Sequence, residues 1–489
     1  MSLKQKALSG IFWSSIERFS VQGIQFAFGI LLARILAPSD YGLTGMLTIF
    51  FAVSQSFIDS GFSNALIRKQ NRTETDFSTV FYFNIAVGLL FYFMLFFASP
   101  YIAAFYDAPI LENLTRVVAL GILVNSLSIV PRAKFTINVD FKTQTKASLL
   151  SVIISGIVGI LMAYRGFGVW ALAVQSVVGS SIGMVAIWLY SRWIPKRIFS
   201  VSSFKDMFSY GSKLLLSGLM DTVYTNMCSL IIGKKFSKND LGYYVRADSF
   251  TQYPSSNITG ILQRVTFPIL SSIQDDDKKL KETYRRFLRL SAFVIFPLMT
   301  GLLAIASPLI KLVLTEKWSG VILLLQILCL SRMWYPIHAI NLNLLQVKGR
   351  SDLFLRLEII KKIVGVTILV ITIPLGVAAM CAGMIASSII ALIVNTYYTG
   401  KLIDTGFFRQ MKDLTPILFN SLFMCLAVWS LTKIIHSHSV CLISGLALGA
   451  GCYLGTAYLA KSPELREIKI ITEPYIKIAV SCIKNIKRK

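Results

Sequence analysis

The sequence predicts an all-α integral membrane protein of about fourteen transmembrane helices, and three observations carry that prediction. Apolar runs such as Ile85 to Ala98 and Ile359 to Pro374 recur along the whole chain, each part of a stretch near the ~20 residues a helix needs to cross a bilayer. The 489 residues are 55% hydrophobic and only 15% charged, where a soluble protein carries about 25% charged residues. Lysine and arginine fall in short clusters between the apolar runs, rich and poor in alternation, which is the signature of membrane sidedness. Helices follow because a lipid-facing backbone must satisfy its own hydrogen bonds. Alternating barrel strands of about ten residues are absent.

The spans fall at about 9–36, 41–66, 77–104, 112–133, 145–164, 168–191, 208–233, 241–272, 288–314, 319–346, 356–375, 377–401, 414–434 and 439–460. Their connections are short. The longest hydrophilic one, Gln274 to Arg286, leaves no room for a folded soluble domain. One set of alternate connections holds about 30 cations, among them Lys4, Lys6, Arg68, Lys69, Arg132, Lys134, Arg197, Lys279, Arg286 and the C-terminal tail. The other set holds about six, chiefly Arg165, Lys234, Lys235, Lys238, Lys317 and Lys433. The cation-rich side is cytoplasmic, so both termini are expected there. Lys4 and Lys6 precede an apolar stretch too long for a signal peptide, and an uncleaved first helix is expected.

The net charge of +25 is accounted for by this topology, and no nucleic-acid partner is implied. Seven cysteines are scattered, mostly inside spans and with no CxxC pair, which reads as apolar packing rather than metal or redox use. The three histidines are His338, His436 and His438, the last two flanking a turn on the cation-poor side, and no metal set has ligand spacing. No Walker A loop is present. No cofactor is expected, and nothing in the short connections supplies the surface-loop carboxylates or histidines of an enzyme.

An internal repeat is visible. Arg34-Ile-Leu-Ala-Pro-Ser-Asp40-Tyr-Gly42 ends the first span and Lys234-Lys-Phe-Ser-Lys-Asn-Asp240-Leu-Gly242 ends the seventh. Asp in such a loop caps the following helix and Gly permits a tight turn. An offset of six helices preserves membrane orientation, so the two halves are parallel repeats. From Pro474 onward, Ile476, Val480, Ile483 and Ile486 recur at helical spacing among lysines. That pattern fits an interfacial amphipathic helix on anionic membrane lipids and, equally, a solvated tail.

Charge inside a membrane costs a few kcal/mol per residue and marks function by default. The first span carries Glu17 and Arg18, then Gln22 and Gln25; the second carries Gln55 and Asp59 at i, i+4; the seventh carries Asp221. The eighth is the most polar, with Arg246, Asp248, Gln252, Asn257 and Arg264 around Pro254, and the tenth adds Arg332. These faces suggest one hydrated cavity. Arg18, Arg264, Arg332, Gln22, Gln25, Gln252 and Asn257 are the substrate-binding candidates, since the planar guanidinium fork suits phosphate. Glu17, Asp59, Asp221 and Asp248 are the ion-coupling candidates. The competing reading is that the acids pair with nearby cations and hold helices together.

The run Ala33-Arg-Ile-Leu-Ala-Pro-Ser-Asp-Tyr-Gly42, followed by Asp59-Ser-Gly-Phe-Ser-Asn-Ala-Leu-Ile-Arg68, resembles the polysaccharide exporters of the multidrug/oligosaccharidyl-lipid/polysaccharide (MOP) superfamily. Gly166-Phe-Gly-Val-Trp-Ala-Leu172, Phe267-Pro-Ile-Leu-Ser271 with Gln274-Asp-Asp276, and Gly349-Arg-Ser-Asp-Leu353 are similar to the colanic-acid and O-antigen exporter branch. The resemblance implies two six-helix lobes around a central cavity plus two C-terminal helices. Placed on this chain, the lobes are 1–205 and 206–405, the added helices 406–462 and a basic cytoplasmic tail 463–489. It also implies a flippase that moves undecaprenyl-diphosphate-linked oligosaccharide from the cytoplasmic to the periplasmic leaflet of a bacterial inner membrane by alternating access. Polysaccharide polymerase machinery would be a partner, and either proton antiport or membrane potential is compatible with the residues. Two other readings stay open: a drug or cation exporter of the same superfamily, which would favour acids over arginines, and a polytopic polymerase or ligase, which should carry a long periplasmic loop.

Overall fold

Helix follows helix throughout the computed structural model, which describes residues 3–59, 61–470 and 473 and has no strand among them. The order is α1 (Leu3–Ile35), α2 (Pro38–Asp59), α3 (Phe62–Arg68), α4 (Glu74–Phe105), α5 (Ile110–Ser126), α6 (Ile129–Ile137), α7 (Phe141–Tyr164), α8 (Val169–Ser191) and α9 (Val201–Lys235). It continues with α10 (Lys238–Ser271), α11 (Asp277–Ala304), α12 (Ala306–Val313), α13 (Gly320–Arg332), α14 (Tyr335–Val347), α15 (Ser351–Thr372), α16 (Val377–Ile403), α17 (Phe407–Ile434) and α18 (His438–Leu459). Eleven helical stretches are long and apolar enough to cross a membrane, among the described residues. The described apolar part of α1, Phe19–Ile35, is shorter. α10 and α15 occupy expected spans as helices but carry several charges each. Four expected spans are each two helices: α2–α3, α5–α6, α11–α12 and α13–α14.

The chain forms two compact units, Met1–Val245 and Arg246–Lys489, divided within α10. In the first, α7 and α8 pack as a hairpin and α1 lies on α7. Small residues permit this: Cβ atoms added at Gly159 and Gly179 would lie 3.1 Å from Gln175 and 3.3 Å from Ser155. Close backbone approach through small residues is how helices gain packing where lipid removes the hydrophobic drive. The connection after α8 folds back onto α4. Buried Trp193 donates to Glu74 at 2.7 Å, and the backbone N–H groups of Lys196 and Ser200 donate to Ser78 and Thr79 at 3.0 and 3.1 Å.

The repeat motifs meet face to face in this unit. The backbone N–H of Ala37 donates to Asp40 Oδ2 at 2.9 Å, and that of Ser237 donates to Asp240 Oδ2 at 3.2 Å, so each Asp satisfies an amide at the start of its helix. The glycines do something other than turn the chain. Gly42 and Gly242 lie inside α2 and α10. A Cβ on Gly42 would sit 1.9 Å from the carbonyl oxygen of Lys238, and one on Gly242 would sit 1.9 Å from that of Pro38. Each repeat thus seats its glycine on the first residue of the other repeat's helix. The contact continues as a seam between α2 and α9: Ser56 and Thr222 share a hydroxyl hydrogen bond of 2.9 Å. At the far end, Gly61, at φ +68°, breaks α2 from α3, and its Cβ position is 2.9 Å from Gly211 of α9.

In the second unit α11 packs on α17, and α13 and α14 pack on α16. The junctions are polar. Arg285 binds Asp413 through two hydrogen bonds of 2.7 and 2.6 Å. Asp276 caps α11 by accepting from Lys279 N at 3.0 Å. Arg350 grips Asp352 at 2.9 and 2.8 Å, and those hydrogen bonds push the Asp352 carboxyl down to about 2. His338 is a core histidine, held at 3.0 Å by Ser388 and 3.3 Å by Asn395. Residues 463–470 are helical and dock through acids: buried Glu464 pairs with Arg289 at 3.0 Å and Glu467 with Arg286 at 2.7 Å. The expected basic amphipathic segment with Ile476, Val480, Ile483 and Ile486 lies outside the described residues.

Candidate functional site

A polar recess in the first unit gathers side chains from five helices. On α2, Gln55 donates to Asp59 at 3.1 Å and accepts from Asn125 of α5 at 3.4 Å. On α1, Glu17 accepts from Ser148 of α7 at 2.8 Å. The cation is Arg132 of α6, with Glu17 and Asp59 in electrostatic reach. Arg132 and Asp59 are open to water yet surrounded by protein on most sides.

Local sequence aims Arg132 there. The chain turns at Leu127–Ser128, ending α5 and starting α6. Pro131 sits in the first turn of α6, where its missing N–H leaves no intrahelical bond unmade. Gln144 of α7 fixes the arginine's backbone by donating to its carbonyl at 3.1 Å. The guanidinium lies beside Gly183 of α8, whose Cβ position is 3.5 Å from Nη2. A larger residue there would crowd the guanidinium.

The expected site residues fall into groups. Glu17 and Asp59 belong to this recess. Gln22 and Asp221 each hold a partner, and Gln25 is exposed. Arg18 lies on α1, but its side chain is outside the described residues. In the second unit Arg332 and Asp248 form an ion pair of 2.5 Å, each about three-quarters covered. Ser255 donates to the Arg332 carbonyl at 2.9 Å. This arrangement matches the helix-holding reading, because removing one partner would strand the other charge. Asn257 is half-buried and partnered, while Gln252 and Arg264 are exposed on α10. Arg132 was counted from the sequence among connection cations; the structure draws it into the recess. No group of three or more potential metal ligands occurs among the described residues.

A many-helix membrane fold with paired repeat motifs and a polar recess defines the class, a polytopic helical membrane protein. The fold matches the inward-closed structure of the Lipid II flippase MurJ with a TM-score of 0.75, at 17% identity over 95% of this chain and 100% of that one. It also matches an inward-facing multidrug resistance MATE family transporter of the MOP superfamily, with a TM-score of 0.61 at 15% identity over 81% and 99% of the two chains. Within that class the chain belongs to the family described as polysaccharide biosynthesis protein, whose profile matches residues 31–323. It is 27% identical to the teichuronic acid biosynthesis protein TuaB of Bacillus subtilis over 72% of this chain and 73% of TuaB. It is 24% identical to the lipopolysaccharide biosynthesis protein WzxC of Escherichia coli over 81% and 80% of the two chains. The protein is a multi-pass membrane protein of this polysaccharide biosynthesis family.

Proposed function

We propose that this protein is a flippase that carries undecaprenyl-diphosphate-linked oligosaccharide repeat units from the cytoplasmic to the periplasmic leaflet of a bacterial inner membrane. The observation that carries the reading is Arg132, held in a hydrated recess of a chain from a polysaccharide biosynthesis family. A diphosphate needs guanidinium or ammonium donors, and a glycan needs a wet, polar lining. Gln55, Asn125 and Ser148 supply donors and acceptors beside the cation. The fold relationship to a Lipid II flippase supports a lipid-linked substrate. Glu17 and Asp59 are the carboxylates placed to couple an ion to the movement, because a proton or cation on either would change the field at Arg132. Arg264, exposed on α10, is a second phosphate contact in the alternating cycle. The alternation of connection cations supports a cytoplasmic location for both termini.

Deleting the gene should leave lipid-linked repeat units made and facing the cytoplasm, with surface polysaccharide missing. Labelling of the lipid-linked glycan in intact cells against lysed cells reads this directly. Single repeat units displayed at the surface but unpolymerised would overturn the reading in favour of a polymerase.

A further inference from the structure

The second unit contains a cavity of about 370 Å³ at the turn between α17 and α18, lined also by residues of α12 and α13. Lys433, His436 and His438 line it, with Gln326 and Ser307 opposite and Trp429 at one wall. Its lining includes no aspartate or glutamate. Lys433 Nζ stands 5.1 Å from the centroid of the Trp429 ring and, among the described residues, has no carboxylate partner. Two of the chain's three histidines sit here, on the side where the connections hold only about six cations. A lysine and two imidazoles lining one cavity without an acid, with an amide and a hydroxyl in the same lining, form a donor set for an oxyanion.

The outer surface next to the cavity is strongly apolar. Ile434, Val440, Ile443 and Leu426 are all more than half exposed, and Trp429 nearly so. These residues suit acyl chains, and an aromatic ring beside a cation is typical of a membrane interface. We propose that the α17–α18 cavity binds a phosphate group, delivered by the headgroup of an anionic phospholipid whose chains lie along the exposed faces of α17 and α18. The site is separate from the Arg132 recess and does not depend on the export reading.

The purified full chain, equilibrated with equal phosphatidylglycerol and phosphatidylcholine, is analysed by native mass spectrometry. The wild type should retain phosphatidylglycerol in preference to phosphatidylcholine. Combining Lys433→Ala, His436→Ala and His438→Ala should weaken that retention by roughly ten-fold or more, as loss of charge-assisted contacts predicts. Lys433→Gln alone, a milder change, should show a smaller loss in the same direction and guards against misfolding of the triple variant. Glycerol 1-phosphate in solution separates the two sources of the group. If it fails to displace the lipid, the acyl chains contribute and the phospholipid is the ligand; if it displaces it, the site takes the phosphate group as such, and both outcomes support a phosphate site. Equal retention of phosphatidylglycerol by wild type and both variants, at equal melting temperature, would overturn the proposal.

Discussion

Gly42→Val should part the starts of α2 and α10, loosen the adjoining seam between α2 and α9 and abolish export. The Cβ position of Gly42 lies 1.9 Å from a backbone carbonyl oxygen, so no rotamer change relieves the clash and the start of α10 at Lys238 must move. Overpacking of this kind costs about 1–3 kcal/mol, roughly five- to hundred-fold in the balance between packed and parted seams. Gly242→Val should act alike, because its Cβ position is equally close to the Pro38 carbonyl. A disulfide probe reads the seam directly. Ser56 and Thr222 hydroxyls are 2.9 Å apart, so Ser56→Cys with Thr222→Cys should cross-link readily on mild oxidation. Adding Gly42→Val should cut the cross-link yield several-fold at equal membrane abundance. An undiminished yield together with normal export would show that the glycine contact is incidental.

Arg132→Ala should reduce export at least ten-fold while leaving the protein in the membrane at its normal level. A charge-assisted hydrogen bond contributes about 1.5–3 kcal/mol, and Arg132 is the cation that Glu17 and Asp59 act on. Arg132→Lys should recover part of the activity, since it keeps the charge and loses the bidentate fork. A structural role would look different: abundance would fall, because Glu17 and Asp59 would each lose their nearby cation. Measuring export and membrane abundance together separates the cases. Normal export by Arg132→Ala at normal abundance would remove Arg132 from the site.

Much of the helix pattern was legible because apolar runs of membrane length are hard to mistake, and each expected span is occupied by one helix or by two in series. The short family motifs were also informative, and the structure shows that they mark junctions. Asp40 and Asp240 satisfy the amides that open α2 and α10. Asp276 caps α11 and Asp352 is gripped by Arg350. The pairing of the repeats was not legible, since Gly42 and Lys238 are far apart in sequence and nothing local to either announces the other. Arg132 was missed for a similar reason. Counting cations between apolar runs assigns it to a connection, whereas the turn at Leu127–Ser128 starts a new helix that turns it inward. Pro131 just before it was the available signal, as proline belongs in the first turn of a helix. Glu464 and Glu467 show the same limit: a tail read by its lysines begins with two acids docked on α11.

The central claim is translocation of a lipid-linked glycan, and reconstitution tests it most directly. Purified protein is placed in vesicles whose two leaflets both contain a fluorescent undecaprenyl-diphosphate oligosaccharide, and an impermeant glycosidase is added outside. Protein-free vesicles keep their inner-leaflet substrate protected. With the wild-type chain that protected fraction should become accessible over time, and with Arg132→Ala it should stay protected far longer. A protected fraction that stays unchanged in vesicles holding correctly folded wild-type protein, with an ion gradient or membrane potential imposed in either direction, would contradict the account.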